Sequence, residues 1–203
     1  MSQNKFLNIV IVILILFVIA SCFITHRFNK CTIDYLKDES VSKDIAIDII
    51  NMTRNSELKL SGMKIPETLY LTDDHKQEFT FAELLSCDKL IFRFSELNCN
   101  ICIETELAIL NSIVDSLEFK HVMIITSSKS TNYIVQFKRV NNLKMPIYCL
   151  RDSEISDIPD IGTPYYFVLS NTNYRIMSPF IPDKEKINAT KQYLNNVIGK
   201  YYE

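Results

Sequence analysis

The chain opens on a block in which hydrophobic positions are not interrupted by charge. From Phe6 to Ile24 the 19 residues FLNIVIVILILFVIASCFI carry none, with Lys5 before them and His26, Arg27 and Lys30 after. A helix buried in a globular core keeps a polar face; this one shows almost none, and it is close to the ~20 residues that cross a bilayer as a helix. Residues 1–25 are therefore expected to be a membrane anchor or a signal that leaves the chain tethered to the membrane. In the charged stretch that follows, Ile45, Ile49 and Met52 recur at three- and four-residue spacing. That predicts a helical stalk over residues 26–60.

The pattern changes near Gly62, and residues 61–203 read as one domain. Thr68 to Phe81 gives two short strands around a polar turn at Asp73 to Lys76, and FAELL gives a brief helical turn. KLIFRFS (Lys89 to Ser95) is almost continuously apolar, as in a strand covered on both faces. A helix is expected from about Asn100 to Leu117, with Ile103, Leu107, Leu110 and Val114 as its buried stripe. A strand at His121 to Ser127 follows, then a helix with Ile134, Phe137 and Val140 facing inward, then a strand at Met145 to Leu150. PYYFVLS and YRIMS form a hairpin through NTN, where Asn171 and Asn173 tolerate tight-turn dihedrals. DKEKINATKQYLNNVIGK is expected to close the chain as a helix, with Asp183 near its N-cap. The order hairpin, β, α, β, α, β, β-hairpin, α predicts an α/β sandwich with a mixed central sheet and helices on both faces.

Composition changes this picture little. The chain has 203 residues, 23% of them charged, and a formal net charge of −2. No basic block is present, so nucleic acid is not expected as a partner.

The chemistry gathers in SELNCNICIETEL, Ser95 to Leu107. Cys99 and Cys102 lie three apart where the apolar strand gives way to the helix. Zinc usually takes four ligands, commonly from a second paired motif. The other candidates, Cys87, Cys149, His75 and His121, are singly spaced, so no metal is expected. Two inert core thiols are a further possibility. The position favours redox work, because unpaired N–H groups at a helix start stabilise a thiolate. On that reading Cys99 attacks and the more buried Cys102 resolves.

IGTPYY adds a second landmark, with Pro164 leading a strand 65 residues after Cys99 and an α/β unit between. With the thiol pair, this resembles the thioredoxin-like superfamily, and within it the membrane-anchored or exported thiol–disulfide oxidoreductases and redoxin-domain proteins of bacteria. The resemblance runs from about Gly62 to Val197. It implies a thioredoxin-like sandwich, Cys99 as nucleophile and Cys102 as resolving thiol, with no cofactor. It further implies that Thr163 and a cis Pro164 face the substrate, that the partners are protein thiols and disulfides, and that the domain lies outside the cytoplasm. IASC (Ile19 to Cys22) resembles the lipobox of bacterial lipoproteins, in which the cysteine is lipidated; an uncleaved anchor is the alternative.

The sequence also departs from that family. Ser95, Glu96, Leu97 and Asn98 stand where aromatic residues usually precede the first cysteine, and Ile101 stands where proline commonly precedes the second. Arg93 falls where many members carry a buried acid; a cation there would favour a thiolate, and the preferred alternative is a surface arginine snorkelling from the strand edge. Glu104 and Glu106 are expected to be solvated or partly buried first-turn carboxylates that suit the helix N-terminus, with a proton-relay role for Glu106 as the alternative. A peroxiredoxin-like peroxidase is the alternative enzyme, although Glu96 occupies its hydroxyl position and no proline lies in the segment. A membrane-tethered binding module is the non-enzymatic alternative.

Overall fold

The structure, a computed structural model, describes residues 3–114, 119–128, 131–150 and 157–202. The chain divides into two compact units, Met1–Met52 and Thr53–Glu203. A helix, α1, runs Gln3–Leu60. In the first unit Ile45, Ile49 and Met52 are all exposed. Most side chains of the charge-free run Phe6 to Ile24, Cys22 among them, lie outside the described residues. Among the described residues, no helix is long and apolar enough to cross a membrane.

Among the described residues, the second unit is built on seven strands: β1 (Tyr70–Thr72), β2 (Glu78–Thr80), β3 (Lys89–Ser95), β4 (Val122–Ser127), β5 (Ile147–Leu150), β6 (Tyr165–Leu169) and β7 (Ile176–Phe180). The helices after α1 are α2 (Phe81–Leu84), α3 (Asn100–Ile113), α4 (Thr131–Val140) and α5 (Ile187–Tyr201). The sheet order is β2-β1-β5-β4-β3-β6-β7. The centre is parallel, β3 with β4 and β4 with β5. Both flanks are antiparallel, through β1–β5 and β1–β2 on one side and β3–β6 and β6–β7 on the other. This is the mixed sheet that the order of elements predicts.

Two hydrophobic cores lie against the two faces. Leu90, Phe92 and Phe94 of β3 pack with Ile103, Leu107 and Leu110 of α3, Ile134 of α4 and Leu194 and Val197 of α5. Ile91 of β3, Met123 and Ile125 of β4 and Phe167 of β6 pack instead with Leu60, Ile65, Leu69 and Phe81. Three helices thus cover one face. The last turn of α1, an irregular segment and α2 cover the other.

Local chemistry explains several boundaries. The side chain of Asp73 accepts the N–H groups of His75 and Gln77, both at 2.8 Å, which closes the β1–β2 turn. Thr80 and Glu83 cap the short α2 reciprocally, each side chain bonding the other's backbone N–H.

Other expectations need correction. Val140 is 78% exposed, because two successive steps of three carry it off the stripe begun by Ile134. α5 starts at Ile187 with Lys186 as its cap residue, three residues after Asp183, which holds the preceding turn by accepting from the Glu185 N–H at 3.0 Å. In the β6–β7 turn the left-handed residue is Tyr174, at φ 55°, while the Asn173 side chain accepts the Arg175 N–H at 3.0 Å. The expected end of α3 at Leu117 lies outside the described residues.

Candidate functional site

β3 runs into a turn that positions the thiols. The Asn98 side chain accepts the Ser95 N–H at 2.8 Å, and the Asn98 N–H returns to the Ser95 carbonyl at 3.1 Å. The next residue, Cys99, is the N-cap of α3, with φ −61° and ψ 118°. Its carbonyl accepts the first helical bond, from the Ile103 N–H at 3.1 Å. Cys99 is exposed and Cys102, three residues on, is half-buried; both are free thiols. Leu97, 86% exposed, and Ile101, 69% exposed, flank Cys99 with apolar surface.

The two thiols are driven in opposite directions. A hydrogen bond from the Cys102 side chain holds the Cys99 thiol below its usual range, helped by the backbone N–H groups of Cys102 and Ile101 and by the Lys184 ammonium. The same side-chain bond pushes Cys102 up, with burial and the negative charges of Cys99 and Glu106 adding to the effect. One sulfur is therefore favoured as thiolate and the other as its proton-holding neighbour.

Glu106 lies one helical turn beyond Cys102 and is only 2% exposed, not solvated as its neighbour Glu104 is. Its Oε1 accepts the Thr190 hydroxyl of α5 at 3.3 Å, and its Oε2 has no hydrogen-bond partner. Burial pushes this carboxyl up, against the pull of Tyr166 and Thr190.

Arg93 corrects a second expectation. It sits on a central strand, not an edge, and is 1% exposed. One guanidinium nitrogen donates to the Phe94 carbonyl and the other to the Ser127 hydroxyl, while Nε has no partner. Its field reaches Asp160. Burial acts to raise the Asp160 carboxyl, but Ser95, the Gly162 N–H, Asn98 and Arg93 together hold it below the usual range. Asp160 Oδ1 accepts the Gly162 N–H at 2.9 Å and the Asn98 side-chain amide at 3.5 Å. That links the turn before Cys99 to the loop that carries Thr163 and Pro164.

Thr163 is half-buried and Pro164 buried. Pro164 lies one step beyond the last β3–β6 pair, Arg93 with Tyr165, at the end of β3 from which the Cys99 turn departs. The expected cis bond is absent: every peptide bond among the described residues is trans. Gly162, two residues before Pro164, takes φ +80°, a left-handed conformation open to glycine that turns the chain there.

Sequence reasoning missed Asp160, Asn98 and Lys184. The spacing of Asp160 and Gly162 carries the signal of a side-chain-capped turn; nothing in the sequence marks Lys184. Among the described residues, no group of three or more His, Cys, Asp or Glu side chains could hold a metal ion.

No protein-family model matches the sequence, and no curated protein is similar to it. Solved structures do match the coordinates. The thioredoxin domain of a thiol-disulfide oxidoreductase from Bacteroides vulgatus superposes with a TM-score of 0.52 at 9% identity, over 67% of this chain and 99% of that one. A thiol:disulfide interchange protein from Bacteroides sp. gives 0.51 at 10% identity, over 66% and 90%. A cysteine mutant of PrxQ from Xylella fastidiosa gives 0.52 at 13% identity, over 68% and 95%. The second unit therefore has the thioredoxin-like fold. At these identities the likeness is one of architecture.

Two outcomes follow from the geometry. Alkylation of the reduced protein at mildly acidic pH, read by peptide mass mapping, should modify Cys99 before Cys102. Glu106→Gln should raise stability in urea at pH 7. The folded carboxyl binds its proton more tightly than the unfolded one, whose ordinary value is 4.5, so ionisation near neutrality costs the folded state free energy. The advantage of the variant should shrink as pH falls through the folded value toward 4.5; an advantage independent of pH would contradict the burial argument.

Proposed function

We propose that the protein is a thiol–disulfide oxidoreductase. The observation that carries this reading is an exposed helix-cap thiol and a half-buried partner thiol held in opposite protonation preference. The Cys99 thiolate attacks one sulfur of a partner disulfide, forms a mixed disulfide and releases the partner's other thiolate. The Cys102 thiol then gives up its proton and attacks Cys99, leaving a Cys99–Cys102 disulfide and a reduced partner. Run backwards, the same steps oxidise a dithiol. Glu106, next to Cys102 along the helix, is the nearby carboxylate able to take the Cys102 proton. Leu97 and Ile101 offer apolar surface to a protein partner, and the half-buried Thr163 lies at the same end of the sheet; Pro164, buried and trans, is given no part in holding it. No organic cofactor or metal enters this chemistry. The architectural likeness to thiol:disulfide interchange proteins supports the same assignment.

The decisive experiment is trapping. Cys102→Ser should accumulate a mixed disulfide through Cys99, seen as a reducible higher-mass band, because attack proceeds and resolution does not. Cys99→Ser should give no such band. Equal behaviour of the two variants would refute the exchange mechanism. Peroxide consumption by wild type that depends on Cys99 alone would favour a peroxidase, the activity of a peroxiredoxin-like protein; inertness to both would leave a binding module.

We also assign residues 1–25 to the membrane, with the stalk 26–60 carrying the domain on the periplasmic or external side. The support is the charge-free run itself. Cys22 is either lipidated or part of an uncleaved anchor. Full-length protein should stay with membranes through an alkaline carbonate wash, and a chain lacking residues 1–25 should be released. Release of both would remove the anchor.

A further inference from the structure

β3 has a thiol beyond each end. Cys99 follows its C-terminus, and Cys87 precedes its N-terminus. β3 is seven residues long, about 20 Å from end to end at ~3.3 Å per residue. Cys87 is too far from the thiol pair to exchange with it in the folded chain.

Its own surroundings are chemically distinct. Cys87 is free and half-buried. Its Sγ lies 3.5 Å from Nδ1 of His121 and 3.7 Å from the Lys120 carbonyl. The Ser86 hydroxyl lies 4.0 Å from the same sulfur. The His121 ring is held against the ring of Tyr202, with centroids 4.8 Å apart. Lys89, 7% exposed, donates to the same Lys120 carbonyl and lies within electrostatic range of the sulfur. The neighbouring carboxylate, Asp88, is turned to the Asn171 N–H at 2.8 Å. A thiol, an imidazole that can take its proton, an aromatic ring that orients the imidazole and a buried cation thus share one site. These are the parts of an activated nucleophile.

We propose that Cys87 is a second reactive thiol, a site of S-thiolation by low-molecular-weight disulfides. With the His121 proton on Nε2, Nδ1 accepts the Cys87 proton. The thiolate attacks one sulfur of the disulfide RS–SR; a Cys87–SR bond forms and the S–S bond breaks. The departing RS⁻ takes the proton from the imidazolium and leaves as RSH. The Cys87 sulfur is oxidised and the small disulfide is reduced. Lys89 stabilises the transient thiolate. The site uses none of the residues assigned to exchange through Cys99, so it stands or falls independently of that assignment.

The test uses the reduced full-length chain with glutathione disulfide at pH 7.5, quenched over time and mapped by peptide mass. Cys87 should acquire one glutathionyl group. His121→Gln, which keeps a polar group but accepts no proton, should slow the reaction about three- to tenfold, since an unassisted thiol is only about one-tenth ionised at that pH. Lys89→Met should slow it in the same sense and guards against a misfolded His121 variant. The adduct should persist when Cys99 and Cys102 are both replaced by serine. An unchanged rate in both the His121 and Lys89 variants would overturn the proposal. So would loss of the adduct without the Cys99–Cys102 pair, or a Cys87-linked dimer of two chains in place of the adduct.

Discussion

The fold hangs on a strand with no face to water. Every residue of β3, from Lys89 to Ser95, is buried. Its even-numbered apolar residues enter one core and Ile91 the other. Burying each such side chain is worth about 1.5–3 kcal/mol, and both neighbours, β4 in parallel and β6 in antiparallel, hold its backbone. A strand fixed this firmly gives its two ends fixed exits. At one, Ser95 and Asn98 close the turn that delivers Cys99 to the start of a helix. At the other, Cys87 is delivered to His121.

The same strand explains what could be read from the sequence and what could not. KLIFRFS announces double burial by its lack of alternation. The stripe Ile103, Leu107, Leu110 and Val114 announces the buried face of α3, and all four side chains are buried. The two charges inside these patterns were the difficulty. A strand covered on both faces must bury every residue, so Arg93 had no edge from which to reach water. Glu106 stands beside Ile103, Leu107 and Leu110 on the same helical stripe, so periodicity placed it inward although its charge argued for solvent. The Asp160 contacts depend on folding together loops 62 residues apart, which a local pattern does not encode.

Those two charges give the interior an uneven electrostatic character. Arg93, on the α1–α2 side of the sheet, has hydrogen bonds to Phe94 and Ser127 and the field of Asp160, but no ion pair among the described residues. Glu106, on the α3–α5 side, has one hydroxyl donor and one unpartnered oxygen. Buried groups satisfied this incompletely cost stability, and both lie in the layers that hold the Cys99 turn and α3. The cost is offset by the apolar packing around them, which also keeps water from relaxing either charge.

The placement of Cys99 on the helix cap also sets a thermodynamic bias. Interactions that favour its thiolate act only while the sulfur is reduced, because a disulfide sulfur carries no charge for the amides and Lys184 to attract. In the exchange proposed above, whatever free energy they contribute would be subtracted from the stability of a Cys99–Cys102 bond, which would make the oxidised pair the better electron acceptor. The hydrogen bond from Cys102 belongs to the same reduced form and disappears with it. Acidity and oxidising strength at this helix end are therefore one quantity seen in two measurements, and a change to the cap that alters the first must move the second with it.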